Sequence, residues 1–567
     1  MKLKSLVAVL LFSSFFFCST AIATTYYVKH ATGNDENAGT STTPWAHCPG
    51  MAGWAGSASL QAGDIVYFDN ASTWSVTGND TCVLRVVGGV TYNGSSWGSG
   101  TIAKFSMNDS SEWSTVVSFS RDHATYATIL SGFELDGNTS HVSGIFMNQG
   151  GLESQVALTG TTKRIENCVI HNTGLYSVGG DSDGCYHYGI RINADSSGEH
   201  HTKNVEILNN RVYTTAGSAI AIYPADSYGT NVDQNAIDNV LIRGNEVYDS
   251  GISPHHYVGA CLMISNNSRN VVAEFNYFHN GYNGIIINGG KALGDVYPPG
   301  VQCTIRYNII RNIGDNSGYT FPNPAYPCPG IALQGANADA VLNIYGNIIY
   351  SCDGVGITLD PYTAYNHANP TNHIYRIYNN TFYNNSVTGG NSELEVTCLD
   401  GNPITTFEVK NNIFMTKNSS GAYCVYANAN RITSSTNNLY YNPAGSGVNV
   451  VYNGLTNYTR TTVKSTYETT SQNTDPTFKN TSNLPAGFIG TYGTNMVPDK
   501  DGLSISMGNA LYNGADLGTS YKGAINLSGT NGGLTRSIGG SWDIGAYQYQ
   551  SVIDEMPKAP NGFKIIQ

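Results

Sequence analysis

From Arg164 to Tyr441 the chain repeats one short pattern: an apolar run, an Asn, any residue, an apolar residue and usually another bulky one. The asparagines are Asn167, Asn210, Asn245, Asn276, Asn308, Asn347, Asn380, Asn412 and Asn437, separated by 43, 35, 31, 32, 39, 33, 32 and 25 residues. A period of this size marks a supersecondary unit that cannot bury its apolar face alone, so successive units must stack. Between the asparagines lie second apolar runs, GIRIN, AIAIY, CLMIS, GIIIN, GIALQ, GVGITL and LEVTC. Two or more short strands per unit, joined by turns and loops of variable length, predict an all-β solenoid of parallel strands. In such a ladder equivalent residues sit about 4.8 Å apart along the axis. An inward Asn at a bend can then bond to the Asn above and below it and satisfy the backbone groups the bend frees. The Asn column therefore reads as structural. A propeller would need four antiparallel strands per repeat and a blade signature, and neither is present.

Composition agrees. Of 567 residues 12% are charged and 40% hydrophobic, with 64 Gly and 38 Tyr against 9 Met. That is too apolar for disorder and suits strands and turns better than long helices. The net charge of -12 supplies no positive field, which argues against nucleic acid as a partner. An acidic surface also repels an anionic polymer, so a polyuronate substrate would call for a bridging divalent cation.

Lys2 and Lys4, the apolar run Leu6 to Phe17 and Ala21-Ile22-Ala23 read as a signal peptide cleaved near Ala23, hence a secreted or cell-surface product. No later run is long and apolar enough to insert in a membrane, and a monomer is expected. Eleven cysteines less Cys18 in the leader leave ten, an even number that favours disulfides in an exported chain, Cys398 with Cys424 first. The expected organisation is 1–23 signal peptide, 24–100 N-terminal strand and cap region, 101–441 coils, 442–550 closing segment and 551–567 mobile tail. Within the cap, the apolar spacing from Gly50 to Gln61 permits a helix. DIVYF from Asp64 reads as the first strand, and YATILSGFELDGN as an early coil.

The opening YYVKHATGNDENAGTSTTPW followed by LQAGDIVYF, the Asn repeat, and DPTF with WDIGAYQY together resemble the right-handed parallel β-helix superfamily, pectate lyase-like and rich in polysaccharide-active exported proteins. The resemblance implies a right-handed parallel β-helix with an N-terminal cap and a C-terminal appended segment. It is specific for fold and much less so for activity, because the superfamily hosts lyases, hydrolases, esterases, epimerases and non-enzymatic surface proteins.

Catalytic motifs of particular families are missing. There is no paired-Asp and GHG pattern, and Asp360-Pro361-Tyr362 only approaches DPHD. GDSDG around Ser182 lacks the strand-turn-helix context of a nucleophile elbow. Asp181 and Asp183 open what looks like a calcium loop, but its twelfth position is Ile192. The doublets His200-His201 and His255-His256 read as solvated loop pairs rather than zinc ligands.

What remains is a column. Just past the second strands stand Asp195, Asp226, Asn267, Lys291 and Asp360; just before them stand His187, His255, His256, Tyr282 and Asp353. Elimination across a uronic acid needs the carboxylate neutralised and a base near the C5 proton. Calcium held by Asp195 and Asp226 meets the first need, and Lys291 or His256 the second. Hydrolysis by a carboxylate pair, Asp226 with Asp195 or Asp353 with Asp360, is a second chemistry. A third reading is a non-catalytic carbohydrate-binding or adhesive rod using its many aromatic rings.

Overall fold

The computed structural model describes residues 23–548 except 79–81, 110–113, 149–157, 175–186, 195–200, 225–235, 253–258, 266, 289–300, 315–327, 335–339, 361–372, 388–391, 398–405, 429–430, 491–495 and 526–533. Each coil visits three sheets in turn. Sheet 1 has 13 strands, from Thr25–Val28 to Ser434–Thr436; sheet 2 has 12, from Thr73–Thr77 to Leu439–Tyr441; sheet 3 has 13, from Cys82–Arg85 to Thr456–Thr459. Within these three sheets every pairing is parallel except the last in sheet 3, between Asn449–Asn453 and Thr456–Thr459. This is a right-handed parallel β-helix.

Register follows from what faces inward. Along sheet 3, Ile192, Ile222, Ile264, Ile287, Leu333, Leu359, Val396 and Ala427 are paired partners in succession, all in one continuous core. A slip of one residue would turn the whole aliphatic column to the outside, so the alternation itself fixes the stack.

The bend from sheet 1 to sheet 2 carries the amide ladder. Asn276 shows the unit: its Oδ1 accepts from the backbone N (3.0 Å) and Nδ2 (2.9 Å) of Asn245, while its own Nδ2 donates to Asn308 Oδ1 at 3.0 Å and to the Ile242 carbonyl at 2.9 Å. The same bonds run from Asn210 to Asn438. At the far end Glu468 accepts from the Asn438 backbone N at 2.7 Å and its Nδ2 at 3.0 Å, closing the column. Two positions of the repeat differ by one residue from the sequence reading. The first rung is Cys168, whose N–H donates to Asn210 Oδ1 at 3.0 Å, and the last Asn is Asn438. Asn167 and Asn437 instead hold φ of 54° and 56°, as do Asn209, Asn379 and Asn411 at 53°, 53° and 58°. Asn is among the few residues that tolerate the left-handed region. It therefore serves both steps of this bend, and sequence alone does not say which step a given Asn takes.

The N-terminal end is closed without a helix. Gly50 to Gln61 runs as turns and extended chain, and the cover comes from rings: Trp45, 1% exposed, stacks on Tyr26 at 4.5 Å and meets Trp54 edge-on. The strand Thr25–Val28 precedes Ile65–Asp69 and pairs with it, so DIVYF is the second strand of sheet 1. The early coil from Tyr126 forms as expected, with strands Thr128–Ser131 and Phe133–Ser140.

Beyond Tyr441 the chain turns back and lies along the outer face of sheet 2. Ile309, Ile348 and Tyr350 pack there with Leu503, Ile525 and Tyr547, and Ile413 and Leu439 with Ile505 and Ile544. The left-handed asparagines anchor it: Asn411 exchanges two 2.8 Å bonds with the backbone of Ala515, and Asn437 Nδ2 donates to the Asn513 carbonyl at 2.8 Å. Arg536 holds the returning chain from within, donating to the carbonyls of Gly523, Gly545 and Tyr547.

No two cysteines are bonded to each other among the described residues: Cys48, Cys82, Cys168, Cys261, Cys303, Cys328, Cys352 and Cys424 are all buried. Cys398 lies outside the described residues. Burial pushes the thiols of Cys168, Cys261, Cys303 and Cys328 up to about 12, so they are packing residues rather than nucleophiles. No helix among the described residues is long and apolar enough to cross a membrane.

Candidate functional site

Sheet 3 is where the coils carry their long connections. The segments 195–200, 225–235, 289–300 and 361–372 leave its strands, and 175–186, 253–258 and 315–327 lead into it. Asp195, Asp226, Lys291, His255 and His256 fall in these segments, outside the described residues. The strands fix how these segments are attached. Ala194 pairs with Pro224, so Asp195 and Asp226 follow neighbouring strand ends, one rung of about 4.8 Å apart. Asn288, three residues before Lys291, pairs with Ser265 on one side and Gln334 on the other, and Gln334 pairs with Asp360. Asp353 is half-buried in the turn before strand Ile357–Asp360, its N–H donating to the Ile313 carbonyl at 2.8 Å. Asp353 and Asp360 thus stand at opposite ends of one strand about 10 Å long. His187, Tyr282 and Asn267 are buried, the His187 ring packed against that of His141.

The outer face of these strands is apolar and closed. Phe146, Arg191, Ala221, Met263, Ile286 and Ala332 follow one another in register, with Tyr188 and Tyr223 packed alongside. The one charged member is Arg191, 8% exposed, its guanidinium carbon 4.8 Å from the ring centre of Phe146 and 5.1 Å from those of Tyr188 and Tyr223. Sequence reasoning passed over it. The signal was present, since Arg191 is the only charged residue in GIRIN, AIAIY, CLMIS, GIIIN and GIALQ, at an outward position of its strand.

A second polar group sits on the outer face of sheet 2. Glu134, Asp136 and His171 present ligand-type atoms within 4.8 Å of one another. Lys104 Nζ lies 2.9 Å from both Glu134 Oε1 and Asp136 Oδ2, and His171 Nε2 lies 3.2 Å from Glu134 Oε1. Burial pushes both carboxyls up, but the bonds from Lys104, with His171 at Glu134 and with the Asn138 N–H and Asn172 at Asp136, outweigh it and hold both below the usual range. The ammonium occupies the position a metal ion would take, so the donor set does not fit one. From His171 a ladder of rings runs up the face: His171 on Tyr213, Tyr213 on Tyr248 and Tyr248 on His279, at 5.1, 4.9 and 4.8 Å with planes within 14° of parallel. Their flat faces cover one another, so this ladder offers a sugar only ring edges. Tyr350 continues the same register beneath the returning C-terminal chain.

The protein family described as "Disaggregatase related" matches residues 202–326, less than a quarter of the chain. No curated protein sequence matches. Among solved structures, pectate lyase Pel9A is similar over 93% of this chain and 96% of its own, at 12% identity and a TM-score of 0.44. The Azotobacter vinelandii mannuronan C-5 epimerase AlgE4 A-module is similar over 69% of this chain and 86% of its own, at 12% identity and 0.40. The GH136 lacto-N-biosidase from Eubacterium ramulus is similar over 76% and 65%, at 13% and 0.36. Superposition at this level is too loose to carry a residue from any of them onto this chain. The fold rests on the three sheets themselves.

Proposed function

We propose that this protein is an exported polysaccharide-active enzyme, a calcium-assisted lyase acting on a uronate-containing polymer held along the side of the helix where sheet 3 carries its long connections. The observation that supports it most is the register of that sheet, in which the segments bearing Asp195, Asp226 and Lys291 follow the first, second and fourth of six paired strands from Ile190–Ala194 onward, and Asp360 ends the sixth, all at the same edge. Two carboxylates suit a hard divalent cation whose remaining oxygens come from water and substrate. Bound there, calcium would neutralise the uronate carboxylate and make the C5 proton acidic. Lys291 or His256 takes that proton, the C4–O bond breaks, the departing oxygen is protonated, and a C4–C5 double bond remains. The hydrolytic alternative through Asp353 and Asp360 needs paired carboxylates about 5–10 Å apart converging on one bond, and would release reducing ends without an unsaturated product.

Incubation with a panel of polyuronates tests the proposal. The expected result is ultraviolet absorbance from the unsaturated product, abolished by a chelator, with Lys291→Ala or His256→Ala lowering kcat by about 100-fold or more. Reducing ends released without that absorbance would mean hydrolysis, and retained binding without either signal would mean a binding rod.

A further inference from the structure

Two arginines are buried outside the core of the solenoid, and their surroundings differ sharply. Arg536, 1% exposed, directs its guanidinium at three backbone carbonyls and the Gln548 side-chain oxygen, at 2.5–3.2 Å. Arg191, 8% exposed, has three aromatic rings around it. Its Nε is buried with no hydrogen-bond partner. Rings attract a cation over their faces but supply no lone pairs in the plane of the five N–H donors. A buried cationic donor left without an acceptor is costly, and the cost is removed when an anionic acceptor arrives.

The neighbouring outward side chain adds a second clue. Asn193, two residues along the same strand and 6% exposed, has its Oδ1 buried without a donor. The box extends from the rung of Phe146 to that of Tyr223, about 10 Å along the axis. An unpaired planar donor beside an unpaired acceptor, bordered by rings, matches a unit carrying both a carboxylate and a hydroxyl. We infer that Arg191 and its ring box form an acidic-sugar subsite, in which the guanidinium receives the uronate carboxylate and Asn193 Oδ1 accepts from a sugar hydroxyl. This deepens the lyase reading and rests on it for the substrate class.

The experiment is equilibrium binding of the full chain, with calcium and with chelator, to oligouronates as free acids, to the same oligomers methyl-esterified, and to a sulfated glycan. Wild type should prefer the free acid. Arg191→Met should weaken that binding about 10- to 100-fold, leave the ester unaffected, and hold or raise Tm because an uncompensated buried charge is gone. Arg191→Lys, which keeps charge but loses the planar fork, should fall between. Unchanged free-acid binding by Arg191→Met overturns the inference. So does a lowered Tm with acid and ester weakened alike, which would make the arginine a packing residue. Arg191-dependent binding of the sulfated glycan alone overturns the carboxylate assignment, and no acidic-glycan binding by wild type overturns it entirely. Unsaturated product formed equally well by Arg191→Met leaves the lyase reading standing without this subsite. Arg191-dependent binding without unsaturated product leaves the subsite standing and removes the lyase.

Discussion

The outer face of sheet 2 is one surface with two halves. Both have the same interior, a column of Phe105, Leu135, Ile170, Val212, Val247, Phe278, Ile310, Ile349, Phe382 and Phe414 in the core. On the outside, the lower half presents Lys104, Glu134, Val169, Arg211 and Glu246, four of the five charged, and the upper half Tyr277, Ile309, Ile348, Thr381, Ile413 and Leu439, none charged, position for position in register. The change of residue type coincides with the returning C-terminal chain, which packs on the upper half. Coils of one backbone geometry thus become wall or interface according to a single outward column, and the upper half is spared an exposed apolar stripe only by the chain's own end.

The largest test of that contrast is a charge placed under the cover. Ile348 is fully buried between paired Ile309 and Thr381 in an apolar cluster, where an introduced carboxylate would lose its water. Ile348→Asp is expected to cost about 3 kcal/mol or more, read as a shift in the urea midpoint. A loss below about 1 kcal/mol would mean that the C-terminal chain sits loosely and that the two halves are not energetically distinct. Tyr248→Ala in the open half should cost less, about 1–2 kcal/mol, because it removes two stacked contacts but only partly buried area.

How far the sequence discloses these features depends on whether one residue type serves one purpose. The inward aliphatic columns do, and GIRIN, AIAIY, CLMIS and GIIIN stack as their alternation requires. Asparagine serves two, the left-handed step and the ladder step, which is why Asn167 and Asn437 are read in place of Cys168 and Asn438. Gly50 to Gln61 has helical spacing, yet Trp45 and Trp54 already close that end and leave a helix no face to bury. The candidate chemistry is least legible. Asp195, Asp226, Lys291 and His256 lie in long connections, where side-chain position depends on loop conformation that no periodicity encodes. Arg191 lies on a strand whose direction the pattern does give, and its unusual charge was a usable signal.

The smallest expected effect is in the open half, where solvent competes for every polar contact. Glu246 receives a contact from His279 at 3.6 Å and a bond from Arg211 Nε at 2.8 Å, with side chains 36% and 54% exposed for Glu246 and Arg211. The nearby His279 ring, then the bond from Arg211, outweigh burial and hold the Glu246 carboxyl below its ordinary value of 4.5. A depressed acid stabilises the fold above its unfolded pKa and ceases to do so as pH falls through the folded one. Glu246→Gln is therefore expected to cost less than about 1 kcal/mol at pH 7, with the difference from wild type closing by about pH 3 and shrinking in about 1 M salt, where screening lengths fall to about 3 Å. Paired urea titrations at the two pH values and two salt concentrations measure it. A difference that survived both acid and salt would come from packing of the carboxamide, and the open half would then be held as the covered half is, by shape rather than charge.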